Sequence, residues 1–90
     1  PELDRLAQVM QDNPTMTIRL EGHTDLIGNF DANVELSRNR VQAVRQYLIT
    51  RGIAGQRIET VGYGPARPIK TGGNKPHPEN RRVELVVTSA

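Results

Sequence analysis

Residues 16–52 read MTIRLEGHTDLIGNFDANVELSRNRVQAVRQYLITRG, and two periodicities meet inside them. Met16, Ile18 and Leu20 alternate with Thr17, Arg19 and Glu21, the period-two pattern of a strand with one buried face, and Gly22 closes it. From Asp31 to Arg51 the period lengthens: Val34, Val41, Val44 and Leu48 mark one face of a helix, and Gly52 and Gly55 supply the stop. A strand running through a Gly-flanked turn into a long helix is the first half of a βαβ unit. Its second half is Arg57 to Tyr63, a less regular strand with Ile58 and Val61 as apolar positions. The unit 16–63 is therefore expected to be a right-handed crossover between parallel strands.

Toward the N-terminus, Leu3, Leu6, Ala7 and Met10 recur at the spacing of one helix face, with Pro14 just beyond, which predicts a short amphipathic helix over 3–12. Toward the C-terminus, residues 64–80 hold Gly64, Pro65, Pro68, Gly72, Gly73, Pro76 and Pro78, too many breakers for a helix or central strand, so a long loop is expected. Val83, Leu85 and Val87 then alternate with Arg82, Glu84 and Val86 in a closing strand over 82–88. The order α-β-α-β-β predicts an α+β fold, a two-layer α/β sandwich with both helices on one face of a mixed sheet. Residues 1–90 read as a single domain. The helical start and the thin sheet lead us to expect a further strand upstream, and a chain opening Pro1-Glu2-Leu3-Asp4 reads as a piece of a longer parent.

Composition narrows the function. There is no cysteine in the 90 residues, which removes disulfides, thiol catalysis and Cys-based zinc sites. No apolar run approaches the ~20 residues of a membrane helix, and no basic start followed by an apolar core reads as a signal peptide. The net charge is only +2 and aromatics make up 3%, little stacking surface for single-stranded nucleic acid. The charge is uneven, net −5 over residues 1–35 and +7 over 36–90. Binding of nucleic acid or another polyanion by the Arg-rich second half is thus the alternative reading.

In open α/β sheets ligands sit beyond the carboxyl ends of the strands, which points to Gly22-His23-Thr24-Asp25 and the turn that follows. Asp25 is a carboxylate set in a turn. Placed at ~100° per residue, Asn33, Ser37 and Arg40 fall inside or beside the apolar arc of the long helix. A buried-edge Arg needs an acceptor, and Asp25 is the nearest acid in sequence across the helix start. Two readings follow: an internal Asp25–Arg40 salt bridge, or an amphoteric clamp offering a carboxylate to an ammonium and a guanidinium to a carboxylate. The second would suit a free amino-acid head group. His23 and Asp25 lack a third metal ligand nearby, with His77 in the Pro-rich segment, so no metal site and no cofactor is expected. Ser37, His23 and Asp25 have the residue types of a hydrolase triad, but Ser37 lies mid-helix without a nucleophile elbow, so no catalytic residue is assigned. Arg81 and Arg82, adjacent at the last strand, must point to opposite faces.

Taken in order, Gly22-His23-Thr24-Asp25, Gly28, Asn33-x-x-Leu36-Ser37-x-x-Arg40, Val44, Leu48, Gly52, Arg57-Ile58, Gly62-Tyr63-Gly64, Pro68 and Asn80-Arg81-Arg82-Val83-Glu84 resemble the OmpA-like peptidoglycan-binding domain over about residues 16–87. The resemblance implies non-covalent binding of the cell wall, with no enzyme activity and no metal. It places Asp25 and Arg40 on the free amino-acid end of meso-diaminopimelate in the stem peptide. By the same analogy Thr24, Asn33, Leu36, Asn80 and Arg81 line or support the pocket. It further implies a soluble periplasmic domain anchoring an outer-membrane, lipoprotein or inner-membrane-anchored parent, without nucleic acid, and open to homo-oligomers. Two departures stand out: Val41 follows Arg40 where the family usually has Ala, and the family's first strand and its loop are absent.

Overall fold

The structure is a computed structural model of the chain and describes residues 1–25, 27–67 and 80–90. Most of the expected 64–80 loop, including Pro68 and His77, lies outside the described residues. Helix α1 (Glu2–Asp12) leads into β1 (Thr17–His23), then α2 (Phe30–Thr50), a 3-10 turn at Gly55–Arg57, β2 (Ile58–Gly64) and β3 (Arg82–Ser89). The sheet order is β2-β1-β3, with β1 parallel to β2 and antiparallel to β3. This is the expected mixed sheet. One boundary moves: Gly22 does not end β1, which stays paired through His23 on both sides.

The ends of α2 follow from local chemistry. Asn29 caps its start, its side-chain oxygen accepting from Ala32 N at 2.9 Å. At the other end Gly52 takes a positive φ of 93°, Gly52 N donates to Ile49 O and Ile53 N to Leu48 O, a Schellman closure. That closure turns Ile53 back onto Leu48, and both enter the core with Ala7, Met10, Ile18, Leu20, Val41 and Ile58. Arg57, expected to begin a strand, instead closes the 3-10 turn and reaches back to the carbonyls of Met10, Asn13 and Met16 at 2.7–2.9 Å. It thereby ties the α1–β1 turn to the start of β2.

Burial of the last strand departs from its alternation. Val83, Leu85 and Val87 share the helix-side face but remain 39%, 41% and 50% exposed. The helices cover β1 and β2, and between α1 and β3 an apolar groove of about 340 Å³ is left, walled by Leu3, Leu6, Leu20, Val44, Val83 and Leu85.

Close approach of α2 to the sheet positions the other end. A Cβ on Gly22 would lie 2.6 Å from Ser37 O, and one on Gly62 would lie 2.7 Å from Arg38 N. Glycine at both positions lets the N-terminal half of α2 sink onto the carboxyl ends of β1 and β2. Ser37 locks the contact, donating to Val34 O at 2.8 Å and accepting from Gly64 N at 2.9 Å.

Candidate functional site

Three chain segments converge at one end of the sheet: β1 and β2 finish there, and β3, running the other way, begins there. The turn after β1 is anchored at its root by Thr24 N, which donates to Gly64 O at 2.9 Å. Thr24 is buried, and its hydroxyl reaches Asp25 O at 3.2 Å. Asn33, from the first turns of α2, donates to Ile27 O at 2.8 Å and lies 3.5 Å from Asp25 O, so it holds the turn in shape. Asp25 is thus placed by backbone on both sides, with little freedom to lose on meeting a ligand.

The result is a pocket of about 270 Å³. Its floor and walls are Thr24, Asp25 and Asn33, and Arg40 and Arg81 bring two guanidiniums to it. Ile27 and Leu36 add an apolar rim. Of the residues singled out from sequence, the structure gathers Thr24, Asp25, Asn33, Leu36, Arg40 and Arg81. Asn80 is not in the lining; it is fully buried at the foot of β3, where Arg82 reaches its carbonyl. Ile27 is a lining residue that periodicity had not marked, although it belongs to the same Gly-flanked turn.

The internal Asp25–Arg40 salt bridge is not formed. Among the described residues the ion partner of Asp25 is Arg81, Nε to Oδ2 at 3.6 Å, and Arg40 makes no ion pair with any of them. Among the described lining residues one carboxylate therefore faces two guanidiniums, a mixed-charge pocket. It contains no imidazole and only one carboxylate among its described lining, so it offers no metal-ligand set.

The triad types also separate. Ser37 is buried with its hydroxyl engaged on both sides, and Gly22 of β1 faces Ser37, so His23, the next residue of the strand, lies on the opposite sheet face. There His23 stacks on Tyr63, ring centroids 5.4 Å apart, and the Arg67 guanidinium covers the other ring at 4.0 Å. Burial, reinforced by the positive charge of Arg82, pushes the His23 imidazole below its usual range. Glu84 is lowered in turn, chiefly by the hydrogen bond from Arg82.

The second-half arginines are largely consumed internally. Arg45 donates to Ile58 O and Gly55 O, Arg51 pairs with Asp4, Arg57 binds three carbonyls and Arg82 pairs with Glu84. These four guanidiniums are therefore engaged within the fold, where a polyanion site needs its cations turned outward.

The model of the OmpA family matches residues 1–82. The peptidoglycan-binding protein ArfA of Mycobacterium tuberculosis is 38% identical over 86 residues, 94% of this chain and 26% of that protein. The chain thus spans about a quarter of that relative's length. The peptidoglycan-associated lipoprotein from Burkholderia pseudomallei superposes with a TM-score of 0.89 at 31% identity, over 96% of this chain and 74% of that one. The periplasmic domain of Helicobacter pylori MotB does so with a TM-score of 0.79 at 26% identity, over 96% and 59%.

Proposed function

The chain belongs to the OmpA family, and from that premise we propose that it binds peptidoglycan non-covalently through the diaminopimelate of the stem peptide. The observation that carries this is the pocket at the end of β1, where Asp25 faces Arg40 and Arg81. The side-chain end of meso-diaminopimelate carries an ammonium and a carboxylate on one carbon. Asp25 takes the ammonium, and a guanidinium fork takes the carboxylate in charge-assisted hydrogen bonds. Ile27 and Leu36 cover the aliphatic stem. No bond is made or broken, so the domain acts as an anchor and not as an enzyme.

The names of the relatives, a peptidoglycan-binding protein and a peptidoglycan-associated lipoprotein, support the wall as partner. We assign the domain to the periplasm, where it holds a membrane-associated parent to the wall. The internal use of Arg45, Arg51, Arg57 and Arg82 speaks against the polyanion alternative.

A sacculus pull-down tests the reading with wild type, Asp25→Ala and Arg40→Ala, each checked for folding by circular dichroism. Wild type is expected to pellet and both variants to stay in solution. Equal pelleting of all three would remove the clamp.

A further inference from the structure

On the sheet face away from the helices lies a second cluster with no part in the pocket. Glu21 and His23 are two apart on β1 and so share that face, and Glu84 on β3 is the register partner of Glu21. Like charges directly opposite each other in a sheet are destabilising. Glu21 is nevertheless buried, and His23 beside it is 2% exposed. Neither ring nitrogen of His23 has a hydrogen-bond partner among the described residues. An imidazole buried with both nitrogens unused is costly, and here it is aimed at two carboxylates.

The geometry points to a divalent transition-metal site built from Glu21, His23 and Glu84, taking Zn²⁺ or a similar first-row ion. One donor atom from each of the three residues lies within 4.8 Å of the others, and His23 Nε2 is 3.9 Å from Glu84 Oε2. Tetrahedral ligand atoms about 2.0–2.2 Å from a shared ion stand roughly 3.4 Å apart, so rotation of the two glutamate side chains has to draw the donors together around the ion. One imidazole and two carboxylates suit zinc, cobalt or nickel better than magnesium or calcium, which prefer all-oxygen shells.

The arginines beside the cluster fit the same picture. Arg19 Nε holds Glu21 Oε2 at 2.8 Å and Arg82 Nε holds Glu84 Oε2. Glu21 keeps its other oxygen for an ion, while Glu84 meets it through Oε2, the oxygen nearest His23, which also accepts from Arg82; donors on a ligating carboxylate are what orient it. Glu84 is half exposed and leaves a way in from solvent. A bound ion would staple β1 to β3 and satisfy one nitrogen of His23. It needs no peptidoglycan, so this site stands or falls separately from the wall-binding pocket.

The test is a Co²⁺ titration followed by its visible d–d absorption, with Zn²⁺ as competitor and the melting temperature as second readout. Wild type is expected to bind one ion per chain, to release Co²⁺ to Zn²⁺, and to melt higher as Zn²⁺ rises. His23→Gln and Glu84→Gln should each weaken binding about 10-fold or more. His77→Ala, which removes the other histidine, should leave it unchanged, and Mg²⁺ should give no shift. Glu84 is exposed enough for its variant to fold even if His23→Gln does not. Failure of wild type to bind, or binding that survives Glu84→Gln and is lost in His77→Ala, would overturn the assignment.

Discussion

Arg81 Nε stands 3.6 Å from Asp25 Oδ2, across the mouth of the pocket that Arg40 also lines. That separation is an ion pair without a hydrogen bond. Arg81 is 46% exposed, and pairs of this kind contribute about 0–1 kcal/mol. Arg81→Gln is therefore expected to melt within a few degrees of wild type, about 4–8 °C per kcal/mol at this size, while pelleting less with sacculi. A large drop in melting temperature with unchanged pelleting would make Arg81 a structural residue.

Selectivity should follow the carboxylate that Arg40 reads. A lysine-type stem peptide lacks that carboxylate, and an amidated diaminopimelate replaces it with a neutral amide. Losing a charge-assisted hydrogen bond costs about 1.5–3 kcal/mol, roughly 10- to 150-fold in affinity. Calorimetry is expected to rank meso-diaminopimelate peptides above both others, and Arg40→Ala to flatten the ranking. Equal affinities for the three peptides in wild type would show that Arg40 does not contact that group.

Gly62→Ala tests the seating of α2. The new Cβ would stand 2.7 Å from Arg38 N and 2.8 Å from Arg38 Cα, backbone atoms that cannot rotate away. Overpacking of this kind costs about 1–3 kcal/mol. Because α2 carries Arg40 and Asn33 to the pocket, melting temperature and wall binding should fall together. An unchanged melting temperature would mean that the helix has room to shift.

Ser37→Ala separates a structural hydroxyl from a nucleophile. The substitution leaves Gly64 N–H buried without its 2.9 Å acceptor, at a cost of about 1–3 kcal/mol. The denaturation midpoint is expected to fall with an unchanged m-value. Wild type incubated with sacculi should release no soluble muropeptides. Release that stops in Ser37→Ala would make the serine catalytic.

Asp4 gives the pH dependence. The Tyr47 hydroxyl donates to its carboxylate and the Arg51 guanidinium adds to the effect, so its pKa is held below the ordinary carboxylate value. With the folded value depressed, the unfolded chain binds the proton first. The stabilisation is present well above the ordinary carboxylate value and is lost progressively as pH falls through that value to the lower, folded one. Asp4→Asn should melt below wild type at neutral pH, and the two should converge in acid. A gap that persists unchanged to about pH 2 would place the effect elsewhere.

Particular residues show how far the chain could be read before folding. Asp25 and Arg40 stood out because each breaks a local rule: an acid in a Gly-flanked turn, and a cation beside an apolar helix arc. The pairing of Asp25 with Arg81 did not stand out, because Arg81 arrives from the far end of the chain. Gly62 read only as part of a motif, since nothing near it reveals that Arg38 lies above it. Val83, Leu85 and Val87 read correctly as a strand, but nothing in their alternation tells that the helices leave that face half exposed.

Periodicity of ~100° or 180° per residue is a property of a single element, so the order of helices and strands, the sandwich class and the turn that bears Asp25 were all contained in the amino-acid order. Register, layer coverage and the meeting of distant segments are properties of pairs of elements. They emerged only when β3 docked antiparallel on β1, which set Arg81 against Asp25 at one end and Glu84 against Glu21 and His23 on the outer face. A one-residue slip of that pairing would turn every β3 side chain to the opposite face, and no spacing within β3 itself encodes which register is taken.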